Sequence, residues 1–149
     1  MKTCVFFGHR DIHYQQYKPK LVQILENLIR NEGVAQFYSG GRGAFDILCA
    51  EAVAELKLRY PNIKNTLVFS YLPPSNEDFT LAPIYTDTVY LLERQVPPRH
   101  AILETNKCMV DKADCLVVGI IKEWGGAWKA VEYAKKRGKR IIDIMSQNE

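Results

Sequence analysis

The sequence has no cysteine pair at the spacing of a metal or redox site. Cys4, Cys49, Cys108 and Cys115 form no CxxC motif, and no histidine stands at a zinc-ligand spacing from them. All but Cys108 lie in apolar contexts, which is typical of small buried side chains. The sequence therefore predicts no metal site, and its free cysteines favour a reducing, cytoplasmic setting.

The sequence also lacks a long apolar run and a strong charge of either sign. No apolar stretch approaches the ~20 residues of a membrane span, so no membrane partner is expected. The net charge of +3 suits an anionic small ligand, but it is too weak to indicate nucleic acid by itself. At 149 residues the chain fits a single domain, 1–149, that needs no disulfide.

Two nucleotide-binding motifs are missing as well. The sequence contains neither GxxxxGK[ST] nor GxGxxG, and the first of these would supply the lysine and the magnesium ligand for hydrolysis of a nucleoside triphosphate. This absence excludes a P-loop enzyme. Any nucleotide site in this chain must be built differently.

Apolar patterning predicts strands that alternate with helices. Short apolar runs at 5–7, 36–38, 66–69, 115–118 and 140–144 are typical of buried strands, and helical apolar stripes cover about 18–31, 45–56, 99–112 and 127–134. Segment 75–98 has no sustained period and is interpreted as an irregular insertion. The pattern predicts an α/β, Rossmann-like three-layer sandwich with a mainly parallel sheet of about five strands.

A glycine loop follows the second predicted strand. In open parallel sheets, ligands bind beyond the carboxyl ends of the strands. Glycines between a strand and a helix let the backbone approach a ligand, and the N–H groups at the helix start attract an anion. Arg42 would add a bidentate donor to a phosphate, although a tight turn without a ligand explains the glycines equally well. The loop comprises Ser39, Gly40, Gly41, Arg42 and Gly43.

A second glycine loop, Gly125-Gly126-Ala127, follows the fourth predicted strand. Two such loops at one edge of the sheet favour a ligand over a simple turn. Trp124 precedes this loop, and its ring is suited either to stacking on a base or to packing against another subunit. The two loops together predict a phosphate-bearing, nucleotide-like ligand.

Several further side chains are candidates at the same edge. Gly8, His9 and Arg10 follow the first strand, where His9 suits acid–base work or capping and Arg10 suits an anion. Asp46 either stabilises a helix dipole or accepts a hydrogen bond from a ribose hydroxyl. Arg99 and Asn106 are seven residues apart on a predicted helix, so both point to one side that could face the ligand. These candidates are Gly8, His9, Arg10, Asp46, Arg99 and Asn106.

Four motifs follow one another along nearly the whole chain. They are Gly8-His9-Arg10, Ser39-Gly40-Gly41 with Asp46, the stretch from Arg99 to Asn106, and Gly125-Gly126-Ala127 with Glu132. In this combination the sequence resembles the SLOG superfamily. That superfamily groups the DNA-processing protein A core, the LOG (lysine-decarboxylase-like) phosphoribohydrolases and many small stand-alone bacterial proteins, to which the match is best.

The resemblance implies a Rossmann-like fold that binds a nucleotide or nucleotide-derived ligand at the two glycine loops. LOG enzymes carry a Pro-Gly-Gly-x-Gly-Thr-x-x-Glu motif, whose glutamate serves cleavage of an N-glycosidic bond. Glu132 lies close to the position of that glutamate and is the candidate catalytic residue. Trp128 and Lys129 stand where the motif has glycine and threonine, so the resemblance leaves open whether the chain is an enzyme.

The sequence therefore supports three hypotheses. The first is a sensor or binding domain for a nucleotide, NAD-derived or ADP-ribose-like molecule, without a required cofactor. The second is a LOG-like phosphoribohydrolase or a related hydrolase of N-glycosidic bonds. The third, DNA binding by analogy with the DNA-processing protein, is disfavoured by the small net charge. A homodimer is also expected, from the aromatic residues near the loops and from the habits of the superfamily.

Overall fold

A computed structural model of the chain describes residues 1–71 and 81–146. Strands and helices alternate along these residues, and a single 3-10 turn, Gln15–Tyr17, precedes the first helix. In chain order the elements are β1 (Lys2–Gly8), α1 (Lys18–Glu32), β2 (Val34–Ser39), α2 (Ala44–Lys57), β3 (Lys64–Phe69), β4 (Asp87–Tyr90), α3 (Pro98–Lys112), β5 (Cys115–Gly119), α4 (Gly126–Lys136) and β6 (Arg140–Asp143).

The strands form one parallel sheet in the order β4-β3-β2-β1-β5-β6. The chain winds outward from β1 to β4 and then returns to the other side of β1, so the winding reverses between β1 and β5. Cys4 to Gly8 pair in register with Cys115 to Gly119, which brings the ends of these two strands side by side. The predicted α/β class and three-layer architecture are confirmed.

The sheet has six strands within the described residues, whereas the sequence predicted about five. The extra strand is β4, which pairs with β3 inside the segment that was interpreted as irregular. This strand has four residues, lies at the edge of the sheet and contains no buried side chain. Such a strand gives no apolar run for a periodicity argument to detect. The start of the predicted insertion, 75–80, lies outside the described residues.

The helices cover both faces of the sheet. Alternate residues of β1 enter opposite cores: Cys4 and Phe6 pack beneath α1 and α2, whereas Val5 and Phe7 pack beneath α3 and α4. This alternation follows from the two-residue period of a strand. It explains why a strand that is buried on both faces is a continuous apolar run.

The end of α1 has a local cause, and the predicted burial of three cysteines is confirmed. Helix α1 ends at Gly33, whose φ of 74° is left-handed and whose N–H donates to the carbonyl oxygen of Leu28. Cys4, Cys49 and Cys115 are buried free thiols. None of the helices in the described part of the chain is long and apolar enough to cross a membrane.

Tyr14 connects the ends of β1 and β5. Its ring is buried against Phe45 with an edge-on geometry and a centroid distance of 4.9 Å. Its hydroxyl accepts the N–H of His9 at 3.1 Å and donates to the carbonyl oxygen of Gly119 at 2.7 Å. One hydroxyl therefore satisfies a backbone group at each strand end.

We predict that Tyr14→Phe lowers the free energy of unfolding by about 1–3 kcal/mol, because it leaves two buried backbone groups without this partner. Urea unfolding would measure the loss. Tyr17→Phe is the matched control, because Tyr17 packs against the same core without the hydroxyl bonds of Tyr14. Equal stability of the two variants would contradict this role of the Tyr14 hydroxyl.

Candidate ligand-binding cleft

A cleft of about 430 Å³ opens at the carboxyl ends of β1, β2 and β5, where the winding of the sheet reverses. Its volume is within the range of small-molecule sites, and its position is where open α/β sheets bind ligands. The lining residues are Phe6, Phe7, Gly8, His9, Arg10, Asp11, Gly40, Arg42, Asp46, Ile102, Asn106, Lys122, Trp124, Gly125, Gly126 and Ala127.

The cleft brings together most of the residues that the sequence singled out. Both glycine loops contribute to it, and so does the segment that follows β1. The predicted residues in the lining are Gly8, His9, Arg10, Gly40, Arg42, Asp46, Asn106, Trp124, Gly125, Gly126 and Ala127. The predicted residues outside the lining are Ser39, Gly41, Gly43, Arg99 and Glu132.

The first glycine loop is held largely by its own contacts. Asp46 Oδ2 accepts the N–H of Arg42 at 3.0 Å, so one amide of the loop is already occupied. Gly41 and Gly43 have φ values of 66° and 94°. A Cβ atom at Gly41 would lie 2.5 Å from Leu67 Cδ1, and one at Gly43 would lie 2.4 Å from Arg10 Cα. These two glycines are required by the turn and its packing, which is the interpretation without a ligand.

The second glycine loop is open. Gly125 has a φ of 95°, but no described atom lies within 4 Å of a Cβ built at Gly125 or at Gly126. Gly126 also does not have a positive φ. No side chain among residues 1–71 and 81–146 caps the start of α4, where the first N–H groups have no acceptor within the helix. The protein's own packing therefore does not require glycine at position 126, and its missing side chain leaves space in the cleft.

The segment 9–11 joins the two loops. On one side, the carbonyl oxygen of Arg10 accepts the N–H of Ala44 at 3.0 Å, next to the first loop. On the other side, His9 Nε2 accepts the N–H groups of Ile121 and Lys122 at 3.1 and 3.0 Å. Both loops are therefore bonded to the same three-residue segment.

The cleft contains more positive than negative side chains. Arg42 Nη2 donates to Ser70 Oγ at 2.5 Å, and Lys122 forms an ion pair with Asp11 at 3.0 Å. Arg10 is exposed and has no ion-pair partner among residues 1–71 and 81–146. Of these three positive side chains, Arg10 is therefore the most available to an anion.

Sequence reasoning missed Asp11, Lys122 and Ile102. Ile102 lies one helical turn before Asn106, so its place on the same face of α3 could have been predicted. The pairing of Asp11 with Lys122 joins the exits of two strands that are distant in sequence. No sequence spacing indicates this contact, because it depends on β5 lying beside β1.

Arg99 and Glu132 lie away from the cleft lining. Arg99 is in the first turn of α3, and its Nε donates to His100 Nε2 at 3.2 Å. Arg99 and Asn106 were predicted to share one side of α3. Of that side, Ile102 and Asn106 line the cleft, whereas Arg99, nearer the start of the helix, does not. Glu132 forms an ion pair with Lys135 at 3.1 Å along α4. The geometry gives no support to a catalytic role for Glu132.

Asp46 is a buried carboxyl group at the inner wall of the cleft. Burial raises its pKa to about 7, although the Arg42 N–H and the positive charges of Arg42 and Arg10 act to lower the pKa. Near neutral pH this group is therefore partly protonated. It can accept a hydrogen bond as a carboxylate and can donate one as an acid.

We predict that Asp46→Asn raises the free energy of unfolding above pH 7 by up to about 4 kcal/mol, because the pKa of Asp46 rises by about three units and each unit is worth about 1.4 kcal/mol. The pKa of Asp46 is higher in the folded than in the unfolded state. The wild-type protein should therefore lose stability as the pH rises from about 4 to 7, and the advantage of the variant should disappear near pH 4. Thermal unfolding across this range would measure the effect.

Asp114→Asn is the control for this experiment. Asp114 is exposed, and its carboxylate also accepts a backbone N–H, that of Thr3 at 2.8 Å. The Asp114→Asn variant should lose stability between pH 4 and 7 as the wild-type protein does. If Asp46→Asn and the wild type have parallel stability curves over this range, Asp46 does not titrate as described.

No protein-family model and no curated protein matches the chain by sequence. Solved structures do match its fold. DNA processing protein A from Streptococcus pneumoniae is 14% identical with a TM-score of 0.64, and the match covers 95% of this chain and 49% of that one. The same protein from Helicobacter pylori is 16% identical with a TM-score of 0.65, covering 99% of this chain and 67% of that one.

A molybdenum cofactor carrier protein from Chlamydomonas reinhardtii is also similar, with 12% identity and a TM-score of 0.56. That match covers 94% of this chain and 74% of the carrier protein. The chain thus spans about half the length of the Streptococcus protein and two thirds of the Helicobacter protein. At these identities the likeness shows the fold alone: the chain has a Rossmann-like fold in common with these proteins.

Proposed function

We propose that the chain binds a small phosphate-bearing ligand of the nucleotide class in the cleft between its two glycine loops. The observation that carries this proposal is that Gly40 and Gly126 line the same cleft, at the point where the winding of the sheet reverses. Ligands of open α/β sheets bind at this position. A molecule that spans the cleft would contact both loops.

The phosphate group fits the second loop. The start of α4 offers uncapped N–H groups and space at Gly126, and a helix N-terminus favours a negative charge. Arg10 also lines the cleft and offers a charge-assisted hydrogen bond to a phosphate oxygen. By contrast, Asp46 occupies an amide of the first loop, and its carboxylate would repel an anion.

The sugar and base fit the remaining wall and mouth of the cleft. Asp46 is placed to accept a hydrogen bond from a sugar hydroxyl, which carries no charge to repel. Trp124 lines the cleft although its side chain is 66% exposed. A large aromatic ring in this position provides a stacking surface for a base. These features match a nucleotide better than an inorganic anion alone.

Binding is better supported than hydrolysis of an N-glycosidic bond. The carboxylates that line the cleft are Asp11 and Asp46. Asp11 is paired with Lys122, and Glu132 lies elsewhere on α4. Single-stranded DNA is the main competing ligand, because a DNA-binding mode is described for the Helicobacter protein. An oligonucleotide therefore belongs among the ligands tested.

We predict that AMP, NAD and ADP-ribose raise the thermal unfolding midpoint more than adenosine does, because adenosine lacks a phosphate. A ligand at a hundred times its Kd stabilises the protein by about 2.7 kcal/mol. Arg10→Gln should weaken the binding of AMP by roughly tenfold or more, because a charge-assisted hydrogen bond contributes about 1.5–3 kcal/mol. Titration calorimetry would give the affinities.

Arg30→Gln is the charge-matched control, because Arg30 is exposed on α1, which packs on the opposite face of the sheet from α3 and α4. It should bind AMP like the wild type. Equal stabilisation by adenosine and AMP would overturn the phosphate site. Binding of a poly-dT oligonucleotide with steep salt dependence, in the absence of any nucleotide binding, would instead favour a DNA-binding module.

A further inference from the structure

His9 is a buried polar residue whose side chain is committed to the backbone of the second loop. The residue is 7% exposed, and its Nε2 atom accepts the N–H groups of both Ile121 and Lys122. A ring nitrogen that accepts hydrogen bonds carries no proton. The imidazole is therefore neutral, with its proton on Nδ1.

These two hydrogen bonds fix the segment 120–125, which leads from β5 to Gly125. Ile120 packs against the core at the start of the segment. Beyond it the side-chain contacts are largely exposed: Ile121 and Trp124 are 52% and 66% exposed, and the ion pair of Lys122 with Asp11 is partly exposed to solvent. Exposed ion pairs contribute little to stability. The histidine is thus a buried attachment for the segment that leads to Gly125 and Gly126.

We infer that His9 is a positioning residue whose neutral imidazole holds the segment 120–125 in its ligand-receiving place, and whose protonation releases that segment. A proton on Nε2 would face two N–H donors, so both hydrogen bonds would be lost at once. The consequence for ligand affinity rests on the proposed function, because it requires the phosphate to bind at Gly125 and Gly126. The attachment of the segment to His9 does not rest on the proposed function.

The groups around His9 determine when this release occurs. Lys122 lies near the imidazole in the segment 120–125, and Asp11 lies near it in the turn after β1. The Tyr14 hydroxyl accepts the backbone N–H of His9. Three further charged residues line the cleft. Asp46 lies in α2, Arg42 lies in the first glycine loop, and Arg10 lies in the segment after β1. The α3 residues in the lining, Ile102 and Asn106, are uncharged, and α4 contributes the glycine start of its helix.

The sign of the pH effect follows from these groups. Burial lowers the pKa of His9 below 6.5, the nearby Lys122 lowers the pKa further, and Asp11 raises it by a smaller amount. His9 is therefore neutral at pH 7 and becomes charged only below its ordinary pKa. The folded state loses stability and loop attachment as the pH falls from about 6.5 through the folded-state pKa.

The first test uses NMR spectroscopy on the ¹⁵N-labelled full chain from pH 8 to pH 5, without a ligand. The ring nitrogens of His9 should show the Nδ1–H form at pH 8. The amides of Ile121 and Lys122 should move with the same midpoint as His9, below pH 6.5. A protonated Nε2 at pH 8, or loop amides that do not follow His9, would overturn the inference.

Two substitutions separate positioning from a purely structural role. His9→Gln places a side-chain oxygen near the position of Nε2, so the loop amides should keep their pH 8 shifts down to pH 5. His9→Phe removes the acceptor, so the loop should be released at every pH. His13→Gln is the control, because His13 is exposed and lies close in sequence, and it should leave the wild-type transition unchanged. A transition that persists in His9→Gln would contradict the role of His9.

The second test measures ADP-ribose binding over the same pH range. The pyrophosphate of this probe is esterified at both ends and keeps its charge between pH 5 and 8, unlike a phosphate monoester, which titrates near pH 6. Wild-type affinity should fall at least tenfold as His9 protonates, and the ratio of wild-type to His9→Gln affinity should follow the NMR midpoint. If the loop transition occurs but ADP-ribose does not bind at any pH, the role of His9 stands and the proposed ligand class fails. A constant ratio with measurable binding would overturn the link from His9 to affinity.

Discussion

The segment 9–11 is the constraint on which the candidate site depends. Through the carbonyl oxygen of Arg10 it is bonded to Ala44 at the start of α2, and through His9 Nε2 it is bonded to the segment before α4. The topology brings the ends of β1, β2 and β5 to one edge of the sheet, but it does not set the distance between two loops. These hydrogen bonds attach both loops to one short segment, beside the cleft that the two loops line.

The glycines of this edge serve two different purposes. A Cβ atom at Gly8 would lie 2.2 Å from Phe45 Cγ, and one at Gly119 would lie 2.7 Å from Phe45 Cε1. These glycines let the first turn of α2 pack directly on the strand ends, as Gly41 and Gly43 let the first loop turn. Gly126 has no such neighbour in the described part of the chain. Among similar-looking glycines, packing thus separates those that the fold needs from the one that leaves space for a ligand.

The sequence predicted the architecture because buried strands and amphipathic helices leave periodic apolar patterns. It did not predict β4, whose half-exposed edge position leaves none. The glycine loops and Arg10 were predicted as site residues because the carboxyl edge of a parallel sheet is where ligands bind, and the structure places them in one cleft. The roles of His9 and Lys122 were missed because they depend on side-chain contacts across β1 and β5. Glu132 was named from its place in the resembled motif, and a motif position does not determine which side of α4 faces the cleft.

The central claim is that one ligand contacts both glycine loops. The most direct test is a titration of the ¹⁵N-labelled protein with ADP-ribose at pH 7.5, following the backbone amides. The account predicts that Gly40 and Arg42 shift together with Gly125, Gly126 and Ala127, with one shared midpoint. Shifts that are confined to one loop, or that occur in the two loops with different midpoints, would contradict it.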